Sequence, residues 1–262
     1  MNRKIRLLLV LILLTSQVID AQIMWPESKK AAIVLSYDDG LNSHLNYAIP
    51  QLNAYGFKGT FFLYGYLPED KFDEWEQVSE QGHEIGNHSL FHPCKGDGKE
   101  GRSPRFYSED YDVPSMLREI GIMNKLIFAI TGKKPESYAY PCGETVVGGV
   151  DYSDSLKQAG LLKYARNGKD TDGITSCENL NPYKVPAYGV KRGSSADDLI
   201  QYVKTVMKNE GLGIFIFHGV GGDYLDIDAN VHQELLDYLN DHQDELWITT
   251  FSEVMEEITN KD

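Results

Sequence analysis

The chain has 262 residues and a formal net charge of −14 at pH 7, with 39 Asp and Glu against 25 Lys and Arg. That length suffices for one large domain with a sizeable core, while so acidic a surface repels phosphate backbones and anionic headgroups and argues against nucleic-acid and membrane-surface partners. Cys94, Cys142 and Cys177 are too few for a disulfide scaffold, and without a Cys-x-x-Cys pair they give no thiolate zinc site.

Residues 1–21 read as a secretory signal. Arg3, Lys4 and Arg6 precede an apolar run from Leu7 to Leu14, and Ala21 sits where cleavage would fall. The run is too short to span a bilayer comfortably. Its removal leaves 22 basic against 38 acidic residues, a net charge of −16. The expectation is a secreted or periplasmic domain over 22–262, with no membrane insertion after cleavage.

Along that domain, short apolar strands alternate with amphipathic helices. Ala31 to Tyr37 is a near-continuous apolar run, as expected of a strand buried on both faces. Thr60 to Tyr64, Glu84 to His88, Ser137 to Pro141, Leu162 to Arg166, Lys184 to Ala187 and Gly213 to Phe217 follow, with Leu246 to Thr249 as an eighth candidate. Ser115 is the expected cap of a helix with Met116, Ile120, Met123, Ile127 and Ile130 on one side. Ser195 and Asp198 form a capping-box pattern ahead of Leu199, Val203 and Val206, and Val231, Leu235, Leu236 and Leu239 make a third stripe. Unbroken strand–helix alternation predicts a parallel α/β domain, and seven or eight strands are compatible with an incomplete barrel. Pro93 to Tyr111, charged and glycine-rich, reads as a surface loop.

The polar residues of interest fall at strand ends, where barrels carry their chemistry. Asp38 and Asp39 end the first strand. Neighbouring residues project to different sides, so one carboxylate can ligate a metal while the other stays free to move a proton, and Gly40 allows the turn. His88 and His92 share one face if their segment turns helically, and imidazole with carboxylate suits zinc and related ions. His218 follows the apolar strand GIFIF, a natural place for a general acid. His44, His83, His232 and His242 are assigned to helix or loop surfaces, without chemistry. Cys94 and Cys142 lie beside these segments, where a bridge and ordinary buried thiols are both open.

SYDDG, NHSLFHP, AYPCGE and FIFHGVG occur in the order and at roughly the spacing of the motifs of the polysaccharide deacetylases. This is carbohydrate esterase family 4, the NodB homology domain, and the resemblance covers about residues 28–258. It implies a distorted (β/α) barrel of about seven parallel strands in a single domain. It also implies a divalent metal, Zn2+ first with Co2+ or Ni2+ as alternatives, held by Asp39, His88 and His92. Asp38 would be the general base and His218 the general acid. The backbone N–H near Cys142, with Tyr140 and Pro141, would serve the oxyanion and substrate. Where the family usually places a base-orienting arginine, this chain has Ala139, as in an Ala-Tyr-Pro branch, and Arg166 is the replacement. The fourth motif has no clear match; Asp170 or Asp172 would be its substitute beside His218. The implied substrate is an acetylated oligo- or polysaccharide, with N-acetyl amide and O-acetyl ester both open. The rivals are an O-acetyl xylan-type esterase, a catalytically inactive carbohydrate-binding relative, and a paired-carboxylate glycosidase that leaves the histidines unexplained.

Overall fold

In the computed structural model, residues 25–96, 106–168, 170, 172–174 and 180–260 are described. The expected signal segment and Cys177 lie outside them. In chain order the regular elements are β1 (Ala31–Asp38), α1 (Ile49–Tyr55), β2 (Thr60–Leu63), α2 (Phe72–Glu80), β3 (Glu84–Asn87), α3 (Val113–Thr131), β4 (Ser137–Ala139), β5 (Val146–Val147) and β6 (Val150–Asp151). They continue with α4 (Ser153–Ala159), β7 (Tyr164–Arg166), β8 (Tyr188–Gly189), α5 (Ala196–Lys208), β9 (Leu212–Phe217), α6 (Ala229–Asp241), β10 (Leu246–Thr249) and α7 (Phe251–Thr259).

All strands except the small antiparallel β5–β6 pair join one parallel sheet, in the order β7-β4-β3-β2-β1-β9-β8. Strand β10 pairs with the first half of β1, and β2 pairs with its second half. The segment leading into β8 bridges back to β7 through Val185 and Arg166, while Tyr188 and Gly189 pair with β9. The sheet therefore curls on itself, and the expected single-domain distorted barrel is what the chain forms.

Strand alternation separates two apolar layers. Ile33, Leu35 and Tyr37 of β1 pack outward with residues of α1, α2, α5 and α6. Ala32 and Val34 face the lumen with Phe62, Ala139, Leu212, Ile214 and Ile216. The lumen is plugged from below by Phe251, Val254, Met255 and Ile258 of α7, together with Trp25. Among the described residues no helix is long and apolar enough to cross a membrane.

Three local expectations change. The strand expected over Lys184–Ala187 is instead a crossing between β7 and β9, so it makes one bridge at Val185 and regular pairing only at 188–189. The cap of α3 is Asp112, whose carboxylate accepts from the Ser115 N–H at 2.8 Å; Ser115 already lies inside the first turn. His44, His83 and His232 are buried rather than on a surface. Each has hydrogen-bond partners: His232 lies between the Tyr37 hydroxyl at 2.7 Å and Gln51 Oε1 at 2.6 Å, and His83 Nδ1 accepts from Gly59 N–H at 3.0 Å.

Burial holds His44 and His83 down at about 4 and His232 at about 3. These are depressed histidines, so between those values and about 6.5 the unfolded chain binds more protons than the folded one. Their neutral forms therefore cost nothing above about pH 6.5, and stability is lost as the pH falls toward 4. Thermal unfolding should show Tm dropping by several degrees between about pH 6.5 and 4.5; a flat profile would contradict this.

Candidate active site

The alternation that fills the lumen also aims the polar residues at its mouth. On β1 the lumen positions Ala32 and Val34 lead to Asp38, and on β9 Leu212, Ile214 and Ile216 lead to His218. On β7 Tyr164 leads to Arg166, and beyond β3 the next position of that parity is His88. All are at the carboxyl ends of their strands.

Asp39, His88 and His92 converge there. The Nε2 atoms of the two histidines lie 3.0 Å apart, and Asp39 Oδ1 lies 3.6 Å from each. Metal bonds of about 2.1 Å meeting at tetrahedral or octahedral angles separate neighbouring donors by roughly 3.0–3.4 Å. Two imidazoles and a carboxylate at these distances fit a divalent ion. His88 Nδ1 donates to the Ala139 carbonyl at 2.8 Å, which fixes the tautomer and leaves Nε2 as the donor to a metal. Burial holds His88 down at about 3, so it stays neutral as a ligand must. Burial first, and the Asp38 charge second, push Asp39 up to about 6; a bound cation would relieve both. A second group, His92 with Cys94 and Cys142, is not a metal site, because the two sulfurs form a disulfide with Cα atoms 5.8 Å apart.

The two histidines meet without the helical turn that their spacing suggested. Ser89 and His92 both have left-handed backbone, at φ 66° and 52°, and the loop between them is clasped on every side. Asn87 Oδ1 accepts from Ser89 N–H at 2.7 Å, and Ser89 Oγ accepts from His92 N–H at 3.0 Å. Glu119 of α3, itself buried, accepts from Leu90 and Phe91 N–H at 3.1 and 2.8 Å. Gly65 donates to the Leu90 carbonyl at 2.9 Å, and a Cβ there would stand 2.6 Å from that oxygen. The disulfide anchors the far side, with Cys94 Sγ 3.5 Å from His92 Nδ1. Glu119 was not singled out from the sequence. It falls three residues after Met116 on the apolar stripe of α3, and an acidic residue at a core register was the available signal.

Asp38 is buried and forms a charged hydrogen bond with Arg166, whose guanidinium stacks 4.5 Å from the centroid of the Phe62 ring. Burial alone would raise the Asp38 carboxyl; the Arg166 charge, with His88 and His218 behind it, holds it below its ordinary value. Arg166 is the register partner of Ala139 on the neighbouring strand, so it fills the space that the small alanine leaves. His218 acts electrostatically on both Asp38 and Asp39. Its carbonyl accepts from His44 Nε2 at 2.8 Å, another residue without a chemical signal in the sequence. The ring of Tyr224 stands edge-on to His218 at 5.7 Å. Among the described residues His218 Nδ1 is buried without a hydrogen-bond partner. Asp170 directs its carboxylate to the Tyr202 hydroxyl and to the N–H groups of Asp172 and Gly173.

Cys142 lies at the mouth with left-handed backbone, φ 54°. Tyr140 does not face it. By strand parity its side chain points outward, where it is buried against Tyr138 and Tyr152 and donates to the Tyr183 carbonyl at 2.9 Å. Its contribution at the mouth is confined to backbone, and Pro141 beside it is buried.

Residues 26–162 match the family model described as Polysaccharide deacetylase. Over 115 residues the chain is 28% identical to the peptidoglycan-N-acetylmuramic acid deacetylase PdaA of Bacillus subtilis, covering 44% of this chain and 39% of PdaA. It spans less than half the length of the curated relatives it matches. Among solved structures, that of a polysaccharide deacetylase of Mycobacterium smegmatis, so far assigned only provisionally, superposes with a TM-score of 0.67 at 15% identity, covering 92% of this chain and 94% of that one. Peptidoglycan deacetylase PdaC from Bacillus subtilis superposes with a TM-score of 0.54 at 20% identity, over 88% and 93% of the two chains.

Removing Arg166 would strand a buried carboxylate. Arg166→Ala should lower stability by about 3–5 kcal/mol and raise the Asp38 pKa. Denaturant titration together with a pH profile checks both; an unchanged midpoint would show that the pair is not the anchor of Asp38.

Proposed function

We propose that this chain, which belongs to the polysaccharide deacetylase family, is a metal-dependent hydrolase that removes acetyl groups from an oligo- or polysaccharide. The observation that carries this reading is the convergence of three neutral or anionic donors, on Asp39, His88 and His92, beside a carboxylate held ionised by Arg166. A paired-carboxylate glycosidase would have no use for those histidines.

A divalent ion at these donors, Zn2+ by the preference of two imidazoles and one carboxylate, supplies Lewis acidity toward an acetyl carbonyl and acidifies water. Asp38 takes the proton of the attacking water, and Arg166 keeps it anionic and oriented for that task. His218, at the end of β9 and so beside the strand that carries Asp38, protonates the departing amine or alcohol. The Cys142 N–H, presented by its left-handed turn, donates to the developing oxyanion. The disulfide beside it supports export to an oxidising compartment, as does the signal expected at residues 1–21.

The two roles separate by mutation. Asp38→Asn should keep the metal yet lose about 10²–10⁴-fold in acetate release, whereas His92→Ala should lose both. Metal analysis and acetate release from acetylated xylan, chitooligosaccharides and peptidoglycan, with the metal restored after chelation, test this. A metal-loaded wild type that releases acetate from none of them would leave the inactive carbohydrate-binding reading in its place.

A further inference from the structure

Four aromatic rings run outward from the metal donors. The Tyr64 ring stands edge-on to His92 at 5.8 Å and lies 5.6 Å from Tyr66. Tyr66 lies 6.3 Å from Phe91, and Phe91 stacks on Phe106 at 4.2 Å with planes 15° apart. Three of these rings are open to solvent: Tyr66 is 58% exposed, Phe91 37% and Phe106 43%. None of the four belongs to a core cluster, and Phe106 also meets Tyr111 edge-on at 6.4 Å. The loop that presents His92 also displays Phe91, because Glu119 and Ser89 hold its backbone inward and leave the ring no place but the surface.

Exposed apolar surface that is contiguous and sits on a functional loop marks a binding site. Rings that offer faces and edges suit a ligand that presents flat arrays of C–H groups to them. A pyranose ring has that character: its axial C–H bonds form an apolar face, while its hydroxyls stay in water. We propose that Tyr66, Phe91 and Phe106 form a subsite for a sugar residue flanking the acetylated one at the metal, so that the enzyme prefers chains to single sugars. This rests on the deacetylase reading above, and it adds a contact distant from the reacting atoms.

The test compares metal-loaded wild type with the Tyr66→Ala/Phe106→Ala variant. The substrates are an acetylated tetrasaccharide, of chitin or xylan type according to which the wild type accepts, and 4-nitrophenyl acetate. The expected result is that the ratio of kcat/KM for tetrasaccharide over aryl ester falls about tenfold, the scale of one or two ring contacts. The fall should lie in KM, and Tyr66→Phe/Phe106→Trp should restore it. An unchanged ratio overturns the subsite, including the case where both activities fall together. Should the wild type release no acetate at all, the deacetylase reading has failed, and calorimetry with the tetrasaccharides still decides on the rings: binding that the alanine variant loses supports them, and binding that is equal or absent in both proteins overturns them.

Discussion

The pairing of Asp38 with Arg166 across the barrel mouth is the constraint around which the site is arranged. Two charges withdrawn from water cost several kcal/mol each unless geometry and further contacts offset it. Here the guanidinium is pinned over Phe62, and its strand neighbour Ala139 leaves it room. The second carboxylate oxygen, Oδ2, looks toward His88 at 3.8 Å. Asp39 is largely buried and has the anionic Asp38 beside it, so it does not ionise cheaply in isolation, and its pKa is raised by both. The buried pair thus sets the charge of one carboxylate, and burial first, with that charge second, creates the demand for a cation at the other.

Rigidity at the mouth comes from backbone in an unfavourable region. Of the nine described non-glycine residues with positive φ, Asp39, Ser89, His92 and Cys142 surround the donors, and Asp223 and Leu225 lie on the loop after His218. Such conformations cost on the order of 1–3 kcal/mol each and persist only where their surroundings hold them. The holding groups are identifiable: Glu119, Asn87 and Ser89 on the histidine loop, the Cys94–Cys142 bridge between two loops, and the Ser43 N–H bonded to Asp223 at 2.7 Å. Donor positions set in this way need little rearrangement when a ligand arrives.

The barrel was legible because its signals are periodic. Buried strands read as apolar runs, and the parity that places Val34 in the lumen also places Asp38 there. The same parity, applied to SYAYP, would have turned the Tyr140 ring away from the mouth, since Ala139 is the lumen position. What stayed hidden depends on contacts distant in sequence. The short crossing at 182–189 follows from the way the ring closes, which no local pattern encodes. The burial of His44, His83 and His232 comes from partners such as Tyr37, Gln51 and Gly59, and an isolated histidine in a polar stretch carries no mark of them. The His88–His92 spacing suggested a helical turn, whereas side-chain clasps impose left-handed residues that bring the rings together by another path.

The plugging of the lumen by the last helix has a bearing on the order of assembly. Strand β1 is made first, yet half of its far edge pairs with β10, Ala31 against Leu246, and its other edge pairs with β9. The apolar lining that β1 contributes is sealed only by Phe251, Val254, Met255 and Ile258. Contacts of such long range are slow to form, because chain entropy must be lost before they return any stabilisation. Until β10 and α7 are in place, the first strand has neither its full set of neighbours nor a floor beneath it. The lumen is therefore closed only when α7 docks, and its apolar lining is open to water until then.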